Sequence, residues 1–487
     1  MKIVNRTTTN KPVQYPERVL QFGGGNFLRA FCDWMFHVLN TETDFNGSVV
    51  VVKPTERGDY SELRAQEGLF HVALDGIRNG ALVSEVTLVE SVSRVVHPYL
   101  EWNTFLATAE QPEMRFVVSN TTEAGIKFSA TDNFSDTPPH EFPAKLTLWL
   151  YHRFNFFNGA ADKGCVLLPC ELIENNGDAL RKTILAYASK WNLGFDFQDW
   201  VTEHNHFCST LVDRIVSGFP KERATEIYKK VGYDDALLVA GEEYHSWIIK
   251  APGFIQKELP FLKTRLNVQF VDDLSLYRKL KVRILNGAHT SLVPVAYLAG
   301  LRTVKEAMDN KMVAAHVTEL LSAEVKPTLS HFSAQEVDVF IKAVTDRFKN
   351  PTLKHFLIDI SLNSTAKFKA RLLPAFIDYV KIHNTFPKRI AFSLASLIQF
   401  YKGVFNGEKI AVNDDKEVLN YFTFEWDKVD SGEQTINELV TNILSNEVIF
   451  GQNLTQYLGL VVFIENILEN IENTGISNLL SNVEQFS

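Results

Sequence analysis

Apolar residues in the first half of the chain gather into short, nearly unbroken runs: Val19-Leu20-Gln21-Phe22, Ser48 to Lys53, Met114 to Ser119 and Gly164 to Leu168. Runs of this length, rich in Val and Leu, suit central strands of a parallel sheet covered by helices on both faces. The stretch Asp178 to Lys190, after Asn176-Gly177, reads as a helix with Asp178 as its cap and Leu180, Ile184 and Leu185 on its apolar face. Strands alternating with helices make this half α/β. Beyond about Asp273 the apolar period becomes helical. The helices are expected over Leu301 to Val325, Ala334 to Phe348, Lys367 to Val380, Arg389 to Tyr401 and Leu454 to Ile471, with Pro327, Pro351, Pro374 and Pro387 punctuating or bending them. The pattern predicts two domains, α/β over residues 1–275 and mostly α-helical over 276–487.

The first strand runs into Gly23-Gly24-Gly25-Asn26-Phe27-Leu28-Arg29. A strand, a glycine turn and an amphipathic segment open a βαβ unit, where glycine lets backbone N–H groups approach a pyrophosphate at a helix N-terminus. Phe22, Gly23, Gly24, Gly25, Asn26 and Phe27 are therefore the candidate cofactor loop of a Rossmann-type domain. A branched side chain at Gly23 is expected to weaken nucleotide binding before it weakens the fold. Leu28 stands where the usual fingerprint has its third glycine, so a plain strand-to-helix turn has the same outline. The second strand ends in Lys53 rather than in the acid that binds the ribose of NAD. Lys53 or Arg57 would suit a 2'-phosphate, so the local residues leave NADP open.

A second motif is Lys281-Val-Arg-Ile-Leu-Asn286-Gly-Ala-His289. At about 100° per residue of helix, Asn286 lies about 140° and His289 about 80° around from Lys281, so an amine, a carboxamide and an imidazole can face one cleft. A buried lysine loses hydration of its charged form, which brings its pKa toward the range useful for proton transfer. The amide of Asn286 can donate to the same oxygen, and His289 can bond a neighbouring hydroxyl. An amphipathic helix with an exposed Lys and a core His has the same pattern.

The two motifs together resemble the mannitol dehydrogenase family of polyol-specific long-chain dehydrogenases. Its cofactor loop, G-x-G-x-F-x-R-A, is matched by Gly23, Gly25, Phe27, Arg29 and Ala30, and its catalytic signature, K-x4-N-x2-H, by Lys281, Asn286 and His289. Further blocks, Ser119 to Gly125, Pro169 to Ile173, Asn176-Gly177 and Cys208 to Ile215, are similar to the branch that interconverts D-tagaturonate and D-altronate with NAD(H) in hexuronate catabolism. The resemblance implies NAD as cofactor, with Asn120 and Thr121 beside it, and Lys281 as a general acid/base that works without metal. It also implies that Lys367 closes the substrate pocket, with Lys354, His355 and Arg371 as nearby candidates for the substrate carboxylate. In one place the chain departs from the wider family, whose strand-end segment reads C-D-N. Here it is Cys170-Glu171-Leu172, and Leu172 cannot donate the hydrogen bond that Asn gives to the reacting oxygen.

Bulk properties narrow the classes. At 487 residues the chain exceeds one ordinary core, and 45% hydrophobic content supplies two. A net charge of -9 and the lack of any Arg/Lys run argue against nucleic acid as a partner. No signal-like segment opens the chain and no run of 18 apolar residues occurs, so a soluble cytoplasmic enzyme of a small sugar acid is expected. Cys32, Cys165, Cys170 and Cys208 lack disulfide-framework or zinc-ribbon spacing. His204, His206 and Cys208 would share a face if extended, but without a fourth ligand no metal is expected. Two alternatives remain at this level: a fructuronate or mannitol/ketose reductase of the same family, and a non-catalytic dinucleotide-binding sensor.

Overall fold

The structure is a computed structural model, and it describes residues 1–13, 15–78, 81–121, 125–351 and 355–483. The chain divides into two compact units, Met1–Gly76 with Leu82–Leu274, and Ile77–Ala81 with Ser275–Ser487.

The apolar runs of the first half become strands of a six-stranded sheet. Its spatial order is Val92–Val96, Ser48–Val52, Glu17–Phe22, Phe116–Ser119, Val166–Pro169, His206–Phe207. Every neighbouring pair is parallel. Numbered by their order along the chain, these strands run 3-2-1-4-5-6 across the sheet, the doubly wound Rossmann arrangement. Parallel strands need both faces covered, and alternation along each strand divides the side chains between two cores. Leu20, Phe22, Val50 and Val52 pack with Trp149, Leu180 and Ile184 on one face. Val19, Val49 and Val51 pack with Phe31, Phe36 and Trp247 on the other. The helix after the fifth strand is Asn176–Lys190; its cap is Asn175, at φ 50°, and Asp178 lies in its first turn instead of capping it. An acid there still favours the positive end of the helix dipole.

The second unit is helical. Gly287–Leu298 and Lys388–Phe400 form its centre: every residue from Ile390 to Phe400 is buried, and of the twelve residues in Gly287–Leu298 only His289 and Tyr297 are not. A helix apolar all round must be enclosed by others. Ser291, Ser393 and His316 form a buried hydrogen-bonded cluster joining these two helices, with 2.7 Å between the serine oxygens. The expected helix Leu301 to Val325 is broken. Asn310 accepts from the amides of Met312 and Val313 and so starts a new helix, Lys311–Glu319, after Val304–Asp309. Lys367 to Val380 likewise appears as Ser364–Arg371 and Leu373–His383, with Pro374 in the first turn of the second. Among the described residues no helix is long and apolar enough to cross a membrane.

Candidate functional site

Two sets of residues carry the candidate chemistry, one in each unit. In the first, Glu17–Phe22 and Phe116–Ser119 are the neighbouring strands at which the order of the sheet reverses, where doubly wound folds bind ligands beyond the strand ends. Gly23 leaves the first strand at φ 115°, a conformation that strongly favours glycine, and its N–H donates to the Val52 carbonyl at 2.9 Å. A Cβ at Gly23 would stand 3.0 Å from Leu28 Cδ1 and 3.2 Å from the Asn120 carbonyl. A branched side chain at Gly23 would therefore strain the backbone and crowd these neighbours, a cost to the fold that adds to any loss of nucleotide binding. The Gly24 N–H donates to Tyr60 Oη at 2.9 Å and is engaged within the protein. Gly25 caps the helix that begins at Asn26, at φ -72°, and a Cβ built on it meets nothing within 4 Å. The amides of that first turn have no acceptor inside the helix, so they are the groups that could hold a pyrophosphate.

Neighbouring side chains brace this loop. Buried Arg29 donates to the carbonyls of Gly24 and Leu237 and to Asn26 Oδ1. Phe27 stacks on Phe31 at 4.9 Å, while Phe22 lies in the core and presents only its backbone. The Phe22 carbonyl accepts from the Asn120 amide at 3.3 Å. Asn120 Nδ2 donates to the Cys170 carbonyl at 2.8 Å, and Thr121 donates to Glu171 Oε1 through both its amide and its hydroxyl. Glu171 is buried, and its other oxygen accepts from Ser119 Oγ at 3.0 Å. Burial pushes its carboxyl above the ordinary range, against those hydrogen bonds. Glu171 thus ties the fourth strand end to the fifth. The acid two residues after the buried strand was the available signal for this tie. Leu172 beside it is 64% exposed.

Lys53 points inward. Its Nζ donates to Thr55 O and Oγ1 at 2.8 and 2.9 Å and to the Arg57 carbonyl at 2.5 Å, which closes the turn after the second strand. Of the two cations considered for a 2'-phosphate, only Arg57 is exposed. His204 ends the helix Phe195–His204, and His206 lies in a strand with its ring against Phe254, so the two do not form an extended run. Among the described residues no group of three His, Cys, Asp or Glu side chains could hold a metal ion.

In the second unit, Ser275–Lys281 passes into a π-helical turn, Val282–Asn286, before the α-helix Gly287–Leu298. The i→i+5 bonding of such a turn winds the backbone between Lys281 and Asn286 more loosely than a uniform α-helix does. Lys281 and Asn286 are half-buried. Arg283, between them, is a structural anchor, bonded to Thr328 Oγ1 at 2.8 Å and to Asp378 Oδ2 at 2.5 Å. Ile284, Leu285 and Ala288 face the core.

His289 stacks on Phe348 at 4.2 Å and meets the ring of His355 edge-on at 5.2 Å. Its Nε2 is buried without a hydrogen-bond partner. Burial first, then the charges of His355, Arg347, Arg371 and Lys367, hold its pKa well below the ordinary imidazole value, so the ring is neutral. Lys367 Nζ donates to the Ile360 carbonyl at 2.8 Å. Arg371 Nη1 lies 3.4 Å from Thr290 Oγ1. Lys354 lies outside the described residues. The structure therefore gathers Lys367, Arg371 and His355 around His289 and adds Arg347 and Phe348, which no motif marked.

Comparison with known proteins accords with these features. Residues 17–263 match the mannitol dehydrogenase Rossmann domain, and residues 273–472 match the mannitol dehydrogenase C-terminal domain. Altronate oxidoreductases of Escherichia coli O1:K1 and of Shigella flexneri serotype 5b are each 45% identical over 477 residues, 98% of this chain and 98% of theirs. The crystal structure of D-sorbitol dehydrogenase in substrate-free form is similar in fold, with TM-score 0.79 and 21% identity over 98% of this chain and all of that one. So is Pseudomonas fluorescens mannitol 2-dehydrogenase, solved as a ternary complex with NAD and D-mannitol, with TM-score 0.66 and 21% identity over the whole of both chains.

Proposed function

The chain belongs to the mannitol dehydrogenase family, and we propose that within it the protein catalyses the reversible NADH-dependent reduction of D-tagaturonate to D-altronate in hexuronate catabolism. The observation that carries the substrate reading is the 45% identity to altronate oxidoreductases, spread over 98% of the chain. When bound, the dinucleotide supplies the hydride. The helix opening at Gly25 and Asn26 faces its pyrophosphate, with Phe22, Gly23, Gly24 and Phe27 shaping the loop and Asn120 and Thr121 beside the neighbouring strand end. The inward Lys53 supports NAD over NADP, because its ammonium is held by the turn and is withdrawn from a 2'-phosphate.

Lys281 gives its proton to the forming alkoxide in reduction and takes the alcohol proton in oxidation. Asn286 donates a hydrogen bond to the same oxygen, a contact that Leu172 cannot share. His289, being neutral, bonds a neighbouring hydroxyl through Nε2 and orients the sugar. Lys367, Arg371 and Lys354 are the candidate cations for the carboxylate, and His355, whose pKa burial lowers, is a candidate hydrogen-bonding group beside them. The test is a panel of tagaturonate, fructuronate and fructose, each with NADH and with NADPH, followed by loss of cofactor absorbance. Preference for tagaturonate with NADH is expected. Equal turnover of fructose or of fructuronate overturns the substrate reading, and equal use of NADPH overturns the cofactor reading.

A further inference from the structure

We propose that Arg371, held at Thr290, is the receptor for the carboxylate of the substrate, and that Lys367 is chiefly a positioning residue. The proposal rests on the sugar-acid reading above and names the residue that enforces it. Arg371 ends the helix Ser364–Arg371, and the way this helix meets the Lys281 motif depends on Gly287. A Cβ on Gly287 would stand 3.3 Å from Leu372 Cδ2, and the Arg371 carbonyl is 4.0 Å away. The close approach brings the guanidinium to Thr290. Thr290 Oγ1 donates to the Asn286 carbonyl at 2.9 Å, leaving a lone pair to accept from Arg371 Nη1 at 3.4 Å. One residue thus joins the backbone of Asn286 to the Arg371 guanidinium.

The guanidinium has five N–H donors, and this long contact occupies one of them. Arginines drawn deeper into the protein are satisfied at once. Arg153 donates to the carbonyls of Lys163, Ala109, Gln111 and Met114, and Arg283 to Thr328 and Asp378. Arg371 is half-buried, and desolvation lowers its pKa, with no carboxylate among the described residues offsetting it. A planar fork in partial desolvation beside neutral His289 is the geometry that binds a carboxylate through two parallel N–H bonds. Lys367 differs, because its ammonium already donates to the Ile360 carbonyl at 2.8 Å, tying the helix to the turn before it.

The experiment compares Arg371→Met, Arg371→Lys and Lys367→Met with the wild type. It measures KM and kcat for tagaturonate, and inhibition by D-gluconate against D-sorbitol, which share a six-carbon chain but differ in the carboxylate. Arg371→Met is expected to raise KM roughly 10- to 150-fold, the range of a charged hydrogen bond, with a smaller change in kcat, and to erase the preference for gluconate. Arg371→Lys restores charge without the fork and should recover part of the loss. Lys367→Met should raise KM less than about fivefold, a factor that corresponds to about 1 kcal/mol. Unchanged NADH affinity and thermal midpoint identify folded variants, and Arg371→Lys serves if Arg371→Met does not fold. The proposal is overturned if Arg371→Met leaves KM within threefold, if Lys367→Met alone erases the gluconate preference, or if the wild type lacks that preference. Should the wild type fail to reduce tagaturonate while still preferring gluconate through Arg371, the carboxylate receptor stands and the substrate assignment falls.

Discussion

Replacing Asp33 by Asn should flatten the pH dependence of stability of the first unit. Asp33 closes the π-helical segment Arg29–Asp33, directly behind the cofactor loop, and is fully buried. Its Oδ2 accepts one 3.3 Å bond from Gln21 Nε2, and its Oδ1 has no partner. Burial outweighs that bond and the charge of Arg29 and pushes the carboxyl from 3.8 up to about 7. Between those two values the folded protein holds a proton that the unfolded chain has released. Stability from this group is therefore full below about pH 4 and falls as pH rises toward 7. At about 1.4 kcal/mol per unit, the window from pH 5 to 7 alone carries on the order of 3 kcal/mol. At roughly 2–4 °C per kcal/mol for a unit of this size, that corresponds to about 5–10 °C. Thermal unfolding of both proteins from pH 5 to 8 checks this. Wild type should lose that much more than Asp33→Asn as pH rises, and parallel curves would refute the argument that Asp33 is protonated in the folded state.

Gly25→Val places a side chain where nothing lies within 4 Å, at an ordinary backbone angle. NADH affinity measured by calorimetry should drop at least about tenfold, a loss of 1.4 kcal/mol, with the thermal midpoint unchanged. Gly23→Val, at φ 115° against Leu28 and Asn120, should lower the midpoint as well. His289→Leu should raise KM for tagaturonate about tenfold, the cost of one lost hydrogen bond. Because the pKa of His289 lies well below the ordinary value, any inflection of kcat/KM between pH 6 and 7 should survive this substitution. Its disappearance would show that His289 titrates there.

Strands buried on both faces were legible because their requirement is local: Ser48–Val52 is apolar after its first residue, and every residue in it is buried. The glycine loop and the Lys281 motif were legible because backbone approach and acid/base chemistry each restrict residue type at fixed spacing. What stayed hidden depends on distant partners. Gly24 looked like part of the cofactor surface, but Tyr60, 36 residues on, takes its amide. Lys53 looked like a free cation until the turn supplied Thr55 and Arg57 carbonyls to its ammonium. No residue pattern separates i→i+5 from i→i+4 bonding, so neither Arg29–Asp33 nor Val282–Asn286 was foreseen as a π segment. Arg371 was one of three candidates beside Lys367 that no motif could separate, because the close packing of Leu372 on Gly287 is invisible in the sequence.

The central claim, that Lys281 handles the proton of the reacting oxygen, is tested most directly by Lys281→Ala. The measurement is hydride transfer in a single turnover from bound NADH to tagaturonate, with NADH affinity determined in parallel. The account predicts a rate lower by about 10² to 10⁴, the scale of general acid/base catalysis, and an NADH affinity within about threefold of wild type. A near-normal rate at the optimal pH would contradict it.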